Sequence, residues 1–198
     1  MLVRHGESTW NAERRIQGQL DPPLTELGRE QARRLAARFR GRRAAALYAS
    51  DLCRASQTAE PVEQVLEMEA VLTRELREIA LGAWEGRTRE DLIAEFPDLW
   101  SAWAREPDWD LVPSGEGAEP FERRVKAILA DLFDRHPGGD VVVVTHGGVI
   151  QTALAGVVGR RTRGVFPFVI HNASLTVLQR FGGRTVVTVV NDTCHLAS

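Results

Sequence analysis

The 198-residue chain has few cysteines and lacks any long apolar run. Its two cysteines, Cys53 and Cys194, allow at most one disulfide, and their positions give no reason to pair them. A single histidine beside Cys194, His195, is too little for a metal site, so we expect no metal. No segment is apolar over a length that spans a bilayer, and the first residues already form a strand. We therefore expect a cytoplasmic protein without a membrane segment or signal peptide.

The chain also lacks an excess of either charge. Its 25 basic and 27 acidic residues leave a formal net charge of -2, which gives no global reason to expect nucleic-acid or membrane binding. A hydrophobic fraction of 43% with 26% charged residues is ordinary for a globular protein. The length suits one large core, so we expect a single domain over residues 1–198.

Strand-like and helical patterns alternate along the chain without repeats. Helices are expected near residues 25–40, 51–66, 88–104, 118–135 and 147–158. In the first of them, the side facing the sheet is predicted to be apolar: Leu27, Ala32, Leu35, Ala36 and Phe39. Residues 174–190, with a turn at Gly182 and Gly183, are typical of a hairpin. The order predicts an α/β fold of three layers, with helices on both faces of a mainly parallel sheet that has an antiparallel edge.

The chain opens with an apolar segment that ends in Arg4 and His5 and breaks at Gly6. We interpret it as a buried strand that delivers both side chains to the carboxyl edge of the sheet, where active sites of open α/β sheets form. Imidazole attacks phosphorus only when it is neutral, and an adjacent arginine disfavours its protonation while attracting a phosphate. For a lone Arg-His pair, a solvent-facing histidine held by a backbone carbonyl is the better interpretation, so the hypothesis depends on three further segments.

The first of these segments contains Arg54 on the first turn of a predicted helix. An apolar strand precedes it, and Ser50 and Asp51 are the expected N-cap residues. The helix therefore starts at the carboxyl end of a strand. Its first amide groups and Arg54 are predicted to point to the same sheet edge as the Arg-His pair.

The other two segments add a histidine and a carboxylate. Four consecutive valines, Val141 to Val144, predict a core strand of a parallel sheet that leads into His146, in the same kind of position as His5. Glu78 closes a short segment before a glycine-bounded loop. Together with the arginines, these side chains provide a nucleophile, a cationic clamp and a proton donor, which phosphoryl transfer needs and which require no metal.

In this order the motifs resemble those of the histidine phosphatase superfamily, also called the phosphoglycerate mutase-like family, in its branch of small bacterial phosphatases. The matching segments cover nearly the whole chain: LVRHGESTWN, GQLDPPLTELGREQA, SDLCRASQTAEP, LREIALGAWEG and VVVVTHGGVI. The resemblance implies a phosphoglycerate mutase-like fold and a metal-independent phosphatase that uses no cofactor.

The resemblance also implies roles for individual side chains. His5 becomes phosphorylated, and Glu78 protonates the leaving oxygen. The amide groups of the helix that starts near Gly147 are expected to neutralise phosphoryl oxygens. The side chains expected to contact the phosphoryl group are Arg4, Arg54, His146, Asn11 and Gln17.

Residues 84–121 break the aliphatic pattern and are predicted to form a cap that sets specificity. They contain four of the five tryptophans. Trp100 and Trp103, three residues apart on a predicted helix, are interpreted as the core of the cap. Trp84, next to the catalytic loop, is predicted to form a wall against the leaving group.

One position in this region departs from the resemblance. Many relatives have a serine after the glutamate that corresponds to Glu116, and Gly117 stands there in this chain. A helix-capping or substrate-binding role of that hydroxyl is therefore in question.

Three functions are considered: a phosphatase of small phosphorylated metabolites first, a phosphoglycerate mutase second, and a non-catalytic regulatory or binding protein third. The complete set of catalytic side chains argues against the third. The resemblance implies that dedicated mutases carry a longer, tyrosine-bearing basic insertion, whereas the single tyrosine here, Tyr48, lies in a predicted strand. Arg87 and Arg89 are candidate ligands of a substrate carboxylate, so the mutase stays open as an alternative. The identity of the substrate also stays open among a sugar phosphate, a phosphoglycerate and an α-ribazole phosphate-like nucleotide. The formation of a homodimer is a further open question.

Overall fold

The computed structural model describes residues 1–164 and 167–197. Helices and strands alternate through most of this part of the chain. The strands are β1 (Leu2–Arg4), β2 (Ala46–Ser50), β3 (Val71–Thr73), β4 (Val141–Thr145), β5 (Leu175–Phe181) and β6 (Arg184–Asp192). The α-helices are α1 (Thr9–Ala12), α2 (Glu26–Ala37), α3 (Cys53–Leu66), α4 (Arg89–Glu95), α5 (Pro97–Arg105), α6 (Ala118–Arg135) and α7 (Gly147–Val157).

The six strands form one sheet in the order β3-β2-β4-β1-β5-β6. The pairs β2·β3, β2·β4 and β1·β4 are parallel, whereas β5 runs antiparallel to β1 and β6 antiparallel to β5. The predicted three-layer fold and the C-terminal hairpin are therefore confirmed. The consequence for function is that β1, β2 and β4 all end at the same edge of the sheet.

Alternation along the strands divides the core between the two faces of the sheet. On one face Val3 and Val144 pack with α2 and α3, and on the other Leu2 and Val143 pack with α6 and α7. Strands buried on both faces are continuous apolar runs, which is why β4 is a row of valines. The rigid sheet fixes the positions at which its three parallel strands end.

Two helix predictions are wrong in detail. Leu27, placed on the core side of α2, is 54% exposed, because the buried stripe of α2 consists of Gly28, Ala32, Leu35 and Ala36 and Leu27 lies outside it. The helix expected over residues 88–104 is two helices, α4 and α5, separated at Phe96. Pro97 causes the break, since proline has no N–H to donate and disfavours helical geometry in the residue before it.

The tryptophans of residues 84–121 form an aromatic cluster. The ring centroid of Trp103 lies 5.6 Å from that of Trp84, 5.5 Å from that of Trp100 and 5.7 Å from that of Trp109. Aliphatic side chains of α6 and α7, among them Val125, pack against this cluster and connect it to the rest of the fold. The interpretation of Trp100 and Trp103 as core residues agrees with this packing, and the function of the segment as a cap stays a prediction.

Both cysteines are free thiols, and burial raises the pKa of Cys53. Within the residues described, none of the helices combines the length and the apolar character that crossing a membrane requires.

Helix α6 shows what replaces the missing serine. Gly117 precedes it with φ 80° and ψ 160°, a conformation that is essentially restricted to glycine. The carboxylate of Asp110 accepts a hydrogen bond of 2.8 Å from the N–H of Ala118, and this carboxylate would lie 2.9 Å from a Cβ at position 117. An aspartate from a preceding loop therefore caps α6, where its charge is also favourable for the helix dipole.

We predict that restoring the serine destabilises the protein. Gly117→Ser forces a strained backbone and displaces Asp110, so the free energy of unfolding in urea should fall by roughly 1–3 kcal/mol. Gly138→Ser is the matched control, because Gly138 also has positive φ (76°) but open space around its Cβ position, and it should lose less. An unchanged or higher stability of Gly117→Ser would contradict this account of the cap.

Candidate active site

The ends of β1 and β4 bring two histidines together. Arg4 pairs with Thr145 in the parallel ladder, so His5 and His146 follow at the same level of the sheet. The His5 N–H donates to the Thr145 carbonyl at 2.9 Å, and the two imidazole centroids are 5.2 Å apart. Both side chains are buried, with 3% and 0% exposure.

The hydrogen bonding of His5 selects its tautomer. Nδ1 lies 2.7 Å from the carbonyl oxygen of Gly6, which can only accept, so Nδ1 carries the hydrogen and Nε2 keeps its lone pair in the neutral ring. Burial, followed by the charges of Arg54 and Arg4, holds the pKa of His5 well below its usual value of 6.5. The imidazole is therefore neutral at physiological pH and presents Nε2 as a nucleophile.

The hydroxyl of Ser50 is the hydrogen-bond partner of His146. Its Oγ lies 2.9 Å from Nε2 of His146 and accepts a hydrogen bond from the N–H of Leu52 at 3.3 Å. We assign the Ser50 hydroxyl as the donor to Nε2, which places the ring hydrogen of His146 on Nδ1, and Nδ1 has no partner among the described residues. Burial and then Arg54 lower the pKa of His146 well below its usual value, so a neutral ring offers one N–H donor.

The predicted capping of α3 by Ser50 or Asp51 is wrong. The N-cap residue is Leu52, whose side chain makes no capping hydrogen bond. Ser50 ends β2 and faces His146, while Asp51 accepts two hydrogen bonds of 2.6 Å from the guanidinium of Arg77. The N–H of Cys53, the first residue of α3, donates instead to Asp21 at 2.6 Å.

Arg54 is nevertheless on the first turn of α3 and 1% exposed. Its Nη1 and Nη2 donate to the carbonyls of Leu20 and Gly18 at 2.8 Å each, and these bonds fix the guanidinium against the loop after α1. Its Nε is buried without a partner in the described chain. Burial lowers its pKa to about 10, so the group keeps its positive charge at neutral pH.

Arg4 adopts a similar arrangement on the other side of the site. Its Nη1 donates to the carbonyl of Ile170 at 2.5 Å, while its Nε is buried and has no partner in the described part of the protein. A Cβ at Gly147, the first residue of α7, would lie 3.6 Å from this Nε. The N-terminus of α7 and the guanidinium therefore face one another, and both favour an anion between them.

Around His5, three buried nitrogen atoms thus lack an acceptor from the described residues: Nε of Arg4, Nε of Arg54 and Nδ1 of His146. Leaving a buried donor unsatisfied costs roughly 1–3 kcal/mol, so most buried polar groups in proteins are paired. The charges of Arg4 and Arg54 lower the pKa of His5, and the His146 ring packs edge-on against the His5 ring. The arrangement fits a small, multiply charged oxyanion bound in front of Nε2 of His5.

Glu78 lies in an irregular loop after β3. Its Oε2 accepts from the N–H of Gly148 at 2.9 Å, and its Oε1 accepts from the N–H of Ile79 at 3.0 Å. A Cβ at Gly148 would lie 2.1 Å from Oε1, so the close approach of the carboxylate requires glycine there. The carboxyl group is consequently held against the first turn of α7, close enough to Arg4 and Arg54 to interact with them electrostatically.

Asn11 lies on α1 and Gln17 follows that helix, and Ser8, the N-cap residue of α1, contacts both side chains. The Ser8 hydroxyl contacts Oδ1 of Asn11 at 3.1 Å and Oε1 of Gln17 at 2.8 Å. Asn172, which sequence analysis missed, donates to the carbonyl of His5 and to Oδ1 of Asn11, both at 3.1 Å. With both amide oxygens engaged by protein donors, the amide nitrogens of Asn11 and Gln17 are the groups left for a substrate.

The predicted wall formed by Trp84 is wrong. The ring is 1% exposed and packs against Trp100 and Trp103, so it has no face to offer a leaving group. Arg87 is also engaged, because it donates to Glu95 at 2.6 Å and lies over the Phe96 ring. These contacts hold the guanidinium of Arg87 against other side chains of residues 84–121.

Residues 1–164 and 167–197 contain no group of three or more His, Cys, Asp or Glu side chains that could hold a metal ion. Arg89, the other arginine considered for a substrate carboxylate, lies over the ring of Trp100, with its Cζ 5.7 Å from the ring centroid.

Comparison with protein families gives one family model, described as histidine phosphatase superfamily (branch 1), which matches residues 1–193. Phosphoserine phosphatase 1 of Hydrogenobacter thermophilus is 33% identical over 196 residues, covering 99% of this chain and 93% of the relative. The metal-independent phosphoserine phosphatase of Arabidopsis thaliana is 32% identical over 201 residues, covering 100% of this chain and 83% of the relative. Other relatives are named probable phosphoglycerate mutases.

The fold comparison agrees with the sequence comparison. The structure of YhfR from Bacillus stearothermophilus superimposes with a TM-score of 0.90 at 35% identity, covering 99% of this chain and 98% of that one.

We predict that Gly148→Ala impairs turnover of phosphomonoesters. The added methyl group occupies the position of the Glu78 carboxylate, and because acid-base groups contribute roughly 10²–10⁴-fold, kcat/KM should fall at least about tenfold. Gly156→Ala on the same helix is the matched control, since its Cβ position is 3.8 Å from the nearest atom, a flexible lysine carbon. The control should retain activity. Equal activity of both variants would contradict the packing of Glu78 against Gly148.

Proposed function

The chain belongs to the histidine phosphatase superfamily, branch 1, and on that premise we propose that a small phosphomonoester is hydrolysed at the buried sheet edge through a phosphohistidine on His5. The protein is a metal-independent phosphatase of small phosphorylated metabolites. The observation that carries the proposal for the site is the set of unsatisfied buried donors around a neutral imidazole.

The phosphoryl group occupies the space in front of Nε2 of His5. Its negative oxygens accept hydrogen bonds from donors that have no other acceptor in the described structure, so binding replaces unfavourable burial with charge-assisted bonds. The groups assigned to phosphoryl binding are Arg4, Arg54, His146, Asn11, Gln17 and the N-terminus of α7 at Gly147.

In the first step, the lone pair of Nε2 forms a bond to phosphorus while the bond from phosphorus to the ester oxygen breaks. The electron pair of that bond goes to the leaving oxygen, which takes the proton of the Glu78 carboxyl group and departs as an alcohol. The imidazole becomes positively charged, and the bond from Nδ1 to the Gly6 carbonyl stabilises this charge. Arginine and amide donors stabilise the charge on the transferring group.

In the second step, the Glu78 carboxylate takes a proton from water as the water oxygen bonds to phosphorus. The bond between phosphorus and Nε2 breaks, its electron pair returns to the ring, and inorganic phosphate leaves. Neutral His5 and protonated Glu78 are thereby regenerated, so the cycle consumes water alone.

L-phosphoserine leads the substrates that we propose. Two relatives with coverage of nearly the whole chain are named phosphoserine phosphatases, which supports an ester of a primary alcohol on a small metabolite. An alkoxide is a poor leaving group, so such an ester needs the proton that we assign to Glu78.

The mutase is the alternative that the same chemistry allows, because returning the phosphoryl group to another hydroxyl differs from hydrolysis only in the acceptor. Arg87, one of two arginines considered for a carboxylate, is held by Glu95 and Phe96 in the cap. This contact favours the phosphatase over the mutase.

The intermediate provides the direct test. Rapid acid-free quenching during turnover of ³²P-labelled L-phosphoserine, in excess chelator, should trap label that is stable in base and labile in acid. His5→Ala should abolish both label and turnover because it removes the only proposed nucleophile. His136→Gln is the matched control, since His136 bonds to Tyr48 near the opposite sheet edge, and it should keep both.

Full activity in His5→Ala would refute the proposed mechanism. In a parallel assay with phosphoglycerates, interconversion of the 2- and 3-isomers that exceeds phosphate release would place the mutase first.

A further inference from the structure

The segment that carries Glu78 lacks the support of regular secondary structure. It lies between a short 3₁₀ turn at Arg74–Leu76 and another at Gly82–Trp84. A proton donor must nevertheless be held within hydrogen-bonding reach of the leaving oxygen. Contacts from elsewhere in the fold must therefore supply the rigidity.

Arg124, on helix α6, makes such contacts. Its Nη1 donates to the carbonyls of Glu75 and Arg77 at 2.9 and 2.8 Å, and its Nη2 donates to the carbonyl of Glu78 at 3.3 Å. One guanidinium group thus binds three backbone carbonyls within four consecutive residues. The planar group fixes the course of the chain on the N-terminal side of the Glu78 carboxyl.

Glu116 fixes Arg124 and the other side of the same segment. Its two carboxylate oxygens accept from Nε and Nη2 of Arg124 at 2.8 Å each, with both side chains largely buried. The Glu116 carboxylate also accepts from the N–H of Ala80 at 3.2 Å, and its own N–H donates to the Ala80 carbonyl at 2.9 Å. The pair therefore grips the chain before and after Glu78.

Arg124 differs in this respect from the arginines assigned to phosphoryl binding. A guanidinium group has five N–H donors, and in Arg124 each of them has a protein acceptor. Arg4 and Arg54 each keep a buried Nε without an acceptor in the described chain. Arg124 cannot bind a substrate oxygen without giving up one of its existing bonds, so its effect on the reaction passes through the position of Glu78.

We propose that Arg124, held by Glu116, is a positioning residue that keeps the Glu78 carboxyl where it can protonate the leaving oxygen. This inference rests on the proposed function of Glu78. Loosening the pair leaves phosphoryl binding and the nucleophile intact but misplaces the acid. The loss of rate then depends on how much the leaving group needs a proton.

The test compares two esters in Arg124→Lys, which keeps the charge but cannot bind a carboxylate and three carbonyls together. The value of kcat/KM for L-phosphoserine should fall at least about tenfold, a part of the roughly 10²–10⁴-fold contribution of an acid group. For p-nitrophenyl phosphate, whose leaving group needs little protonation, it should change less than about twofold. Arg123→Lys, at a neighbouring exposed position of α6, is the matched control and should leave both rates unchanged.

The double variant with Glu78→Gln separates positioning from other roles. Once the acid is absent, Arg124→Lys should cause no further loss for L-phosphoserine, since coupled residues are non-additive. Equal losses for both esters in Arg124→Lys, or full additivity in the double variant, would overturn the inference.

The rates of the Glu78→Gln variant for the two esters distinguish a failure of the proposed function from a failure of this inference. If Glu78→Gln alone slows both esters equally, the proposed acid role of Glu78 fails; if only Glu78→Gln is selective, the inference about Arg124 fails and the proposed function stands. Should Arg124→Lys not fold, Glu116→Gln weakens the same pair more mildly. It is expected to show the same selective loss for L-phosphoserine, and an equal loss for both esters would again overturn the inference.

Discussion

The constraint on which the rest of this structure depends is the burial of two guanidinium groups beside two imidazoles. Desolvation and the fields of Arg4 and Arg54 keep His5 and His146 neutral. The same arginines leave buried donors without acceptors in the described chain. Burying these donors unpaired costs free energy, which an oxyanion recovers when it accepts their hydrogen bonds. A neutral imidazole and an environment that favours an oxyanion are therefore two consequences of one arrangement, and the parallel strands that end together make the arrangement possible.

The site uses arginine in two distinct ways. Arg4 and Arg54 are anchored through their Nη atoms to backbone carbonyls and keep Nε for a ligand. Arg77 and Arg124 are paired with carboxylates, and they stabilise the irregular loop that carries Glu78. Separating the two sets lets the acid be positioned without adding an unpaired positive charge next to it. A glycine at position 148 completes the arrangement, because it admits the carboxylate to the helix terminus.

The sequence predicted the features that depend on short segments. Apolar runs that stop at polar residues located β1 and β4, and the parallel pairing then brought His5 and His146 together. The roles of Ser50, Arg124 and Asn172 could not be predicted, since they arise from contacts between residues far apart in the chain. Proximity in sequence was misleading for Trp84, whose position beside the catalytic loop says nothing about the side on which its ring packs. The break between α4 and α5 was not predicted, although the proline at position 97 is a sequence signal for it.

The central claim is that the buried cationic site holds His5 neutral with its hydrogen on Nδ1. It is tested most directly by ¹⁵N NMR of the histidine ring nitrogens, recorded from about pH 8 to about pH 5, the range in which an unperturbed imidazole titrates. The account predicts that His5 of the folded protein shows no protonation near pH 6.5 and keeps a protonated Nδ1 with a free Nε2, whereas the urea-unfolded chain titrates near ~6.5. Protonation of folded His5 near 6.5, or a hydrogen on Nε2 of the neutral ring, would contradict it.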